Sequence, residues 1–470
     1  MKKIKFDCGI YLGIAESMIS RIEEGKVKII KSKTYNQNST PTCISFNMKS
    51  TMFVGQNALK QKKRDEIWTR YFKSYDINTF SEFLRTIGTD TQYFSNNMKR
   101  SYSSEELLGY IIKELRSYVD DDEIESAIIT IPAKFKQNEM NAVKRAAELG
   151  GLRYFELLQE PIAVSLAYGA DKRTHQGYWF VFHFDETSFN VSILTQDDGS
   201  MDIVDTAGDK YLGGINLDNA IVDDIIIPQL KQCYSFDGIM DDEAFKQAIR
   251  NKLKWYAKET REALNQYEKF GICSGDPIGQ DDEGIDIDLD LRISLKEFEI
   301  VSEPIFQRAI DIAMNLLVKN RLLTEKIQCI YLSGSVTLSQ TLQRMLKSQV
   351  IPTLDTSIDP ITAPAIGAAL YSSVHEKSIY LKQNVPIEKF VSAGIKARIV
   401  IETLRDEYAC YQWKDSQRAN ELLSHCIEMS GQPVVDDSVQ NDLLFHIYSQ
   451  MINPDQGVAG TYMEAKINCN

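Results

Sequence analysis

The sequence predicts an α/β protein built from two similar lobes that face each other across a cleft. The first observation is a triple of short strands joined by tight turns, predicted over residues 4–12, 16–22 and 26–32. The second is that the same triple recurs over residues 178–184, 189–195 and 201–206. Helical sequence follows each triple, and then an apolar strand with a helix after it, at 124–132 and at 326–334. Two such halves predict a cleft between them, where ligands usually bind.

Several helices of this fold carry signals at their ends. Ser103 and Glu106 form a possible capping box in front of apolar residues at helical spacing. The next helix is expected to stop at Gly150, acting as a left-handed cap, and Pro161 is expected in the first turn of a short helix that ends at Gly169. Long amphipathic helices are predicted within residues 241–270 and 296–320.

The last hundred residues follow a different pattern. Residues 374–470 give mixed helical signals and turn-rich stretches, which predict a small, mostly helical segment. The segment is too short for a β-sandwich together with a long helical lid. The predicted domains are therefore a first lobe at 1–175, a second lobe at 176–373 and this C-terminal segment.

Composition indicates an intracellular protein and disfavours two classes of partner. The 470 residues contain 53 Lys plus Arg and 66 Asp plus Glu, a net charge of −13, which disfavours nucleic acid and anionic membranes as partners. No stretch of about 18 uncharged apolar residues occurs, so no membrane span is expected, and the N-terminal sequence predicts no signal peptide. None of the eight cysteines has zinc-knuckle spacing. Buried thiols in a reducing, cytoplasmic setting are the expectation.

Five ordered motifs resemble those of the seventy-kilodalton heat-shock (DnaK-type) chaperones. They are AIITIPAKF at 127–135, QEPIAVSLAYG at 159–169, AGDKYLGGINLDN at 207–219, IYLSGSVTLSQ at 330–340 and DPITAPAIGAAL at 359–370. The resemblance covers residues 4–373 and corresponds to the nucleotide-binding domain of that family. It implies the duplicated actin-like ATPase fold, of ribonuclease-H-like topology, with ATP or ADP and magnesium between the lobes.

The resemblance also implies that one hairpin turn of each lobe meets the phosphates, and the second of these turns is altered. Where the family has Asp-Leu-Gly-Gly-Gly-Thr-Phe-Asp, residues 183–190 are His-Phe-Asp-Glu-Thr-Ser-Phe-Asn. Three glycines have become Asp185, Glu186 and Thr187, and the magnesium-organising acid has become His183. Unlike glycine, these residues carry side chains that obstruct backbone contact with phosphate, and two of them are anionic. A solvated turn is expected here; the alternatives are a metal or other ligand held by the acids, and residual nucleotide binding.

The first turn and the catalytic lysine position are altered as well. The family's Gly-Ile-Asp-Leu-Gly-Thr-Thr-Asn-Ser corresponds to residues 9–17, Gly-Ile-Tyr-Leu-Gly-Ile-Ala-Glu-Ser, so Tyr11 replaces the metal-organising acid while Gly13 is kept. The catalytic lysine position falls on Arg70. Two further vestigial catalytic positions have alternative explanations. Glu160 is either a catalytic carboxylate or an acid at a helix start, and His183 is either catalytic or a hydrogen-bonded strand residue.

The adenosine side of the implied site is also altered. The family's Glu, Lys and Ser contacts correspond to Lys258, Arg261 and Asn265, and the adenine-stacking Arg corresponds to Thr337. The vestigial nucleotide cleft is predicted to contain Gly13, Gly213, Gly214, Arg261, Gly334 and Ser335. A calcium loop over 286–297 is rejected in favour of an exposed-face strand, because Leu291 stands where the calcium-loop turn needs glycine. No metal site is predicted.

These losses favour a pseudo-ATPase, a protein-interaction or scaffold module with weak or absent ATP binding. One alternative is a divergent ATP-dependent chaperone or co-chaperone that still binds and hydrolyses ATP. A second alternative is a structural subunit of a larger assembly, with residues 374–470 as its docking element. The pseudo-ATPase and subunit hypotheses both give the protein a non-enzymatic role, because fold alone does not carry activity.

Overall fold

The structure is a computed structural model that describes residues 2–68, 78–119, 124–169, 177–197, 200–236, 238, 241, 243–351, 353–374 and 376–379. The chain divides into two compact units. Lys5–Glu376 form the larger unit, and Met1–Ile4 with Lys377–Asn470 form the other. The predicted helices within 380–470 and the predicted catalytic position Arg70 lie outside the described residues.

The strands are short, and most alternate with turns or helices. In chain order they are β1 Lys2–Lys5, β2 Cys8–Leu12, β3 Glu16–Glu23, β4 Lys26–Ile30, β5 Thr40–Pro41, β6 Cys43–Phe46, β7 Met52–Val54, β8 Thr79–Ser81, β9 Gln92–Ser95, β10 Arg100–Ser103, β11 Ser126–Ile131, β12 Tyr154–Gln159, β13 Gly177–Phe184, β14 Phe189–Asp197, β15 Ser200–Asp209, β16 Lys269–Cys273, β17 Gly279–Gln280, β18 Asp286–Ile287, β19 Asp290–Ser294, β20 Ile327–Ser333, β21 Leu354–Asp355 and β22 Glu376–Ile379. The pair β1 and β22 forms a two-stranded sheet.

The helices lie between these strands. They are α1 Gln56–Trp68, α2 Ser104–Arg116, α3 Gln137–Leu149, α4 Glu160–Ala167, α5 Gly214–Ile221, α6 Ile227–Leu230, α7 Glu243–Ala263, α8 Leu295–Lys319, α9 Gln340–Gln349 and α10 Ala363–Val374. Short 3-10 turns cover Phe83–Thr86, Thr324–Lys326 and Ser335–Leu338, and a π-helical turn, Val222–Ile226, joins α5 to α6.

Two mixed sheets repeat one arrangement of strands, which confirms the duplication predicted from the sequence. The first has the order β12-β11-β2-β3-β4, with β5 beside β3, and the second has the order β15-β14-β13-β20-β21. In both, the first strand of an antiparallel triple, β2 or β13, pairs in parallel with the later apolar strand, β11 or β20. The hairpin turns between the first two strands of each triple, β2–β3 and β13–β14, therefore have comparable positions, and these are the two turns singled out in the sequence.

The local signals at helix ends are mostly confirmed. Ser103 caps α2 by accepting a hydrogen bond from the Glu106 amide, and the Glu106 side chain completes the capping box. Pro161 lies in the first turn of α4. The prediction that Gly150 is a left-handed cap is wrong. Gly150 has a φ of −72°, and the left-handed residue is Gly151, whose φ of +84° turns the chain towards β12.

Two predicted elements are divided differently in the structure. The helix predicted within 241–270 ends at Ala263, and β16 begins at Lys269. The exposed-face strand predicted near 286–297 is confirmed in part, because the segment forms two short strands with exposed and buried residues in alternation, β18 and β19. It ends earlier than predicted, since α8 begins at Leu295. Glu297 belongs to this helix, where its carboxylate accepts hydrogen bonds from the Ser294 amide and hydroxyl. The capping box formed by Ser294 and Glu297 starts α8, so strand β19 ends at Ser294 although the alternating pattern continues.

Helix α10 closes the larger unit by packing on α4 and on strands β2 and β3 of the first sheet. Two glycines allow this close approach. A Cβ at Gly9 would lie 2.5 Å from the Ala369 backbone nitrogen, and a Cβ at Gly367 would lie 1.7 Å from the Ala163 carbonyl oxygen. The second lobe was predicted to cover residues 176–373. Its last helix, α10, therefore contacts the first sheet.

The described cysteines differ in burial. Cys8, Cys43 and Cys329 are buried thiols, as predicted, whereas Cys233 and Cys273 are exposed. Among the described residues, no helix combines the length and the apolar character that crossing a bilayer requires.

Candidate functional site: two altered hairpin turns

The turn between β13 and β14, residues 185–188, is packed into the protein. Glu186, Thr187 and Ser188 are only 9%, 7% and 8% exposed. The Asp185 amide donates to the Ser188 carbonyl at 3.0 Å, which closes the turn. The amides of Gly214 and Ile215, at the start of α5, donate to the carbonyls of Asp185 and Glu186 at 3.0 and 2.9 Å. The expected solvated turn is therefore wrong, because α5 and its neighbours cover the turn.

The Glu186 carboxylate is held by side chains from two other segments, α7 and the 3-10 turn after β20. Its Oε2 accepts a hydrogen bond from Arg261 Nη2 at 2.7 Å, and Lys258 Nζ lies 3.6 Å from the same oxygen. Its Oε1 accepts a hydrogen bond from the Ser335 hydroxyl at 2.7 Å. Arg261 Nε also donates to Asp218 Oδ1 of α5 at 2.7 Å. We refer to Glu186, Asp218, Lys258, Arg261 and Ser335 as the Glu186 cluster.

The charges of the Glu186 cluster stabilise one another. Burial alone would raise the pKa of Glu186, but Arg261 and Lys258 outweigh it and lower that pKa to about 2. Burial alone would lower the pKa of Arg261, but Glu186 and Asp218 raise it above its ordinary value. Glu186 is therefore a carboxylate and Arg261 a cation at neutral pH. Burial raises the pKa of Asp218, and Arg261 opposes that rise. Arg261 and Lys258 are thus held by carboxylates within the protein, which disfavours the binding of an added anion.

The glycines around the turn serve close packing. Gly213 precedes α5, and a Cβ on it would lie 2.5 Å from the Glu186 carbonyl oxygen. A Cβ on Gly214 would lie 2.9 Å from Glu186 Oε2 and 3.0 Å from Arg261 Nη2. Gly334 has a φ of +87°, and a Cβ there would lie 2.4 Å from the Phe184 carbonyl oxygen. These three predicted cleft residues are brought together, and each has a contact within the protein that requires glycine.

The turn between β2 and β3 is likewise closed by hydrogen bonds within the protein. The Gly13 amide donates to the Glu16 carbonyl at 3.1 Å, and the Thr42 hydroxyl donates to the Gly13 carbonyl at 2.8 Å. The Tyr11 side chain is 4% exposed, and its hydroxyl oxygen would lie 2.8 Å from a Cβ on Gly13. Burial raises the pKa of Tyr11 well above its usual range, with Asp185 adding to the effect. Tyr11 is therefore a neutral phenol at physiological pH.

Glu160 and His183, the other vestigial catalytic positions, line one small cleft with Lys134. Burial raises the pKa of Glu160 to about 8, and the nearby Asp185 charge adds to this rise. Burial lowers the pKa of His183, with Asp185 opposing the shift. His183 Nδ1 lies 2.9 Å from the Ser333 hydroxyl oxygen, which confirms the hydrogen-bonded strand histidine. Glu160 is the first residue of α4, so it is also the helix-start acid that the sequence allowed.

One cation at the turn was missed by sequence reasoning. Arg85, in the 3-10 turn Phe83–Thr86, donates from Nη2 to the Thr187 carbonyl at 2.8 Å and from Nη1 to the Lys210 carbonyl. Its guanidinium also lies 5.5 Å from the centre of the Tyr211 ring. No local pattern around Arg85 indicates a contact with a residue about one hundred positions away. The structure thus brings Arg85 to the turn.

The predicted adenosine-side positions do not share one role. Lys258 and Arg261 belong to the Glu186 cluster, whereas Thr337 is buried and its hydroxyl donates to the Gly334 carbonyl at 2.7 Å. The Asn265 carbonyl accepts a hydrogen bond from Gln340 Nε2 at 3.2 Å. Across the described residues, no group of three or more His, Cys, Asp or Glu side chains is placed to hold a metal ion.

The fold and these motifs agree with a match to a known family. A family model described as "Hsp70 protein" matches residues 7–392, most of the chain. The chain therefore belongs to the Hsp70 family. Membership implies the actin-like, two-lobed ATPase fold, and the repeated mixed sheets described above agree with it.

Two similar relatives are both bacterial chaperones. The chain is 26% identical over 374 residues to the chaperone protein DnaK of Metamycoplasma hominis, covering 79% of this chain and 59% of the relative. It is 27% identical over 369 residues to the chaperone protein DnaK of Mycoplasma mobile, covering 78% of this chain and 58% of the relative. The chain thus spans about three fifths of the length of these curated relatives.

Proposed function

We propose that this Hsp70-family chain is a pseudo-ATPase that acts as a protein-interaction or scaffold module. It binds ATP or ADP with magnesium weakly or not at all, and its partners are other proteins. The chaperone relatives support protein partners, and the filled hairpin turns support weak nucleotide binding. The expected cytoplasmic location remains a prediction.

The observation that carries this proposal is the Glu186 carboxylate, 2.7 Å from Arg261 and from Ser335. The family resemblance assigns this turn to the phosphates of a nucleotide. Two like unit charges about 5 Å apart repel by roughly 3 kcal/mol at an effective dielectric of about 20, which corresponds to about two decades of affinity. The two cations beside Glu186, Lys258 and Arg261, are already paired with carboxylates, so a nucleotide phosphate that bound to them would have to displace a buried ion pair.

The positions assigned to magnesium and to catalysis support the same conclusion. Tyr11 replaces a carboxylate, and its raised pKa keeps it neutral. Glu160 holds its proton up to about pH 8, and the lowered pKa of His183 keeps that ring neutral as well. Magnesium prefers charged oxygen ligands. These residues do not fit the metal that ATP hydrolysis in this family uses.

A titration of the full chain with Mg-ATP and with Mg-ADP tests the proposal. Thermal unfolding and calorimetry are followed in parallel, with the DnaK of Metamycoplasma hominis as the positive control. A ligand at 100 times its dissociation constant stabilises the folded state by about 2.7 kcal/mol. We expect that degree of stabilisation at millimolar ligand for the control and little for this chain. A micromolar dissociation constant for this chain would reject the proposal.

That rejecting result would favour the alternative, an ATP-dependent chaperone or co-chaperone. The retained residues Glu160, Gly213, Gly214, Gly334 and Ser335 are compatible with it. The three glycines, however, are already required by contacts within the protein, and Ser335 donates to Glu186. Their presence therefore does not distinguish the two functions.

The second alternative, a subunit of a larger assembly, has its own test. Deleting residues 380–470, the greater part of the predicted docking element 374–470, should abolish a stoichiometric complex if that element makes the contact. A complex that survives the deletion contradicts this role of the segment and leaves the scaffold proposal standing.

A further inference from the structure

The Glu186 cluster joins four segments that are far apart in the sequence. Glu186 lies in the β13–β14 turn, Lys258 and Arg261 lie on α7, Asp218 lies on α5, and Ser335 follows β20. Every link between them is a side-chain hydrogen bond or ion pair with the Glu186 carboxylate or with Arg261. Loss of one carboxylate would therefore loosen several elements together.

The residues around the Glu186 carboxylate have the chemistry of a carboxylate-binding site. Arg261, which is 3% exposed, offers Nη2 to one carboxylate oxygen, and Ser335 offers a hydroxyl to the other. Lys258 adds a second positive charge at 3.6 Å. Charge-assisted hydrogen bonds of this kind are short and strong, and Arg suits the planar shape of a carboxylate. The backbone of Gly214 closes one side, with no room for a Cβ.

We infer that Lys258, Arg261 and Ser335 form a carboxylate-binding site whose resident ligand is the Glu186 side chain, which holds α7 against the turn without any bound nucleotide. This inference deepens the proposed function, because it names the internal group that replaces a ligand at the same site. A covalently attached carboxylate cannot diffuse away, so its effective concentration favours continuous occupancy.

The position of α7 has a natural reporter. Trp255 lies on the same helix, and Lys63 Nζ of α1 lies 4.0 Å from the centre of the Trp255 ring. Any shift of α7 away from the turn would change the surroundings of this indole. The amides of Gly214 and Ile215 report the other side, because they donate to carbonyls of the turn itself.

The test removes the resident carboxylate and supplies a free one. In the full chain, Glu186→Ala is compared with wild type and with Glu262→Ala, a matched control on α7 whose carboxylate lies 3.7 Å from Lys258 but is 54% exposed. Thermal unfolding and the Trp255 fluorescence are measured in sodium acetate and in sodium chloride at equal ionic strength. The Trp255 signal is assigned by difference from a Trp255→Phe chain.

We expect acetate to stabilise Glu186→Ala beyond the effect of chloride, and to return its fluorescence towards that of wild type. Wild type and Glu262→Ala should respond alike to the two salts. Equal responses of Glu186→Ala to acetate and to chloride would overturn the inference, since they would indicate screening without a site.

A second variant covers the case in which Glu186→Ala does not fold. Glu186→Gln keeps the shape but removes the charge, and hydrogen exchange at Gly214 and Ile215 should then be at least about tenfold faster, because the buried Arg261 keeps Asp218 but loses its second carboxylate partner. Unchanged exchange at both amides would overturn the inference. The nucleotide titration of wild type separates the two proposals. Micromolar ATP binding rejects the proposed function, whereas only the acetate and exchange results bear on Glu186 as resident ligand.

Discussion

Glu160 offers a direct test of how burial controls charge in the cleft. Glu160 is 7% exposed. Burial is the larger cause of its raised pKa, and the neighbouring Asp185 charge is the smaller one. Replacing it by Gln keeps the size and polarity of the side chain but removes the ionisable proton. The substitution should therefore leave stability at low pH nearly unchanged and should increase stability, relative to wild type, as the pH rises.

The magnitude follows from the two ionisation constants. Glu160 has a pKa of about 8 in the folded chain and an ordinary value of 4.5 when unfolded. The stabilising effect of the protonated form is fully present below pH 4.5 and is lost as the pH rises towards 8, because the unfolded state releases the proton first. Each pH unit within this window costs wild type about 1.4 kcal/mol. Between pH 6 and pH 8 the advantage of Glu160→Gln should therefore grow by about 2 kcal/mol.

Urea denaturation at several pH values between 6 and 8 measures this difference. Glu303→Gln, an exposed position on α8, is the control and should give a curve parallel to that of wild type. If Glu160→Gln and wild type also give parallel stability curves over this range, then the carboxyl ionises normally in the folded protein. The conclusion that Glu160 is neutral at physiological pH would then be wrong.

Two further substitutions test the packing around the site by the same urea assay. Arg261→Met leaves two buried carboxylates without their shared cation and should cost about 3–5 kcal/mol of unfolding free energy. Arg344→Met removes an ion pair with Glu299 in which the Arg344 side chain is 65% exposed, and should cost less than about 1 kcal/mol. Similar losses for both would contradict the burial of the Glu186 cluster. Gly367→Ala places a Cβ 1.7 Å from the Ala163 carbonyl oxygen and should cost about 1–3 kcal/mol or more as α10 and α4 separate. Gly271→Ala, which meets no atom within 4 Å, should have little effect, and equal losses at the two glycines would refute the close approach.

The elements of the fold were largely predictable because their signals are local. The alternation of apolar and polar residues predicted both strand triples, and the structure places them at β2–β4 and β13–β15. The capping box at Ser103 and Glu106 depends on residues three positions apart and was also predicted. Boundaries failed where two local signals competed, as at Ser294, where a helix cap ends a strand that the alternating pattern would have continued.

The site was predictable only in part. The sequence identified the two altered turns, because the replacement of glycine by Asp, Glu and Thr is visible in the letters. It did not indicate that Glu186 would be buried, since an acidic hairpin turn is ordinarily solvated. It also gave no sign of Arg85, which reaches the turn from a 3-10 helix in the first half of the chain.

The sequence by itself determined the duplicated α/β fold, the family, and the presence of Asp185, Glu186 and Thr187 where the family resemblance implies three glycines. Only the tertiary structure showed that the Glu186 carboxylate is buried and paired with Arg261. Glu186 and Arg261 are 75 residues apart, and no periodic pattern connects them. Hydrophobic periodicity acts over a few residues, whereas the strength of an ion pair depends on distance and burial, which exist only once the chain has folded.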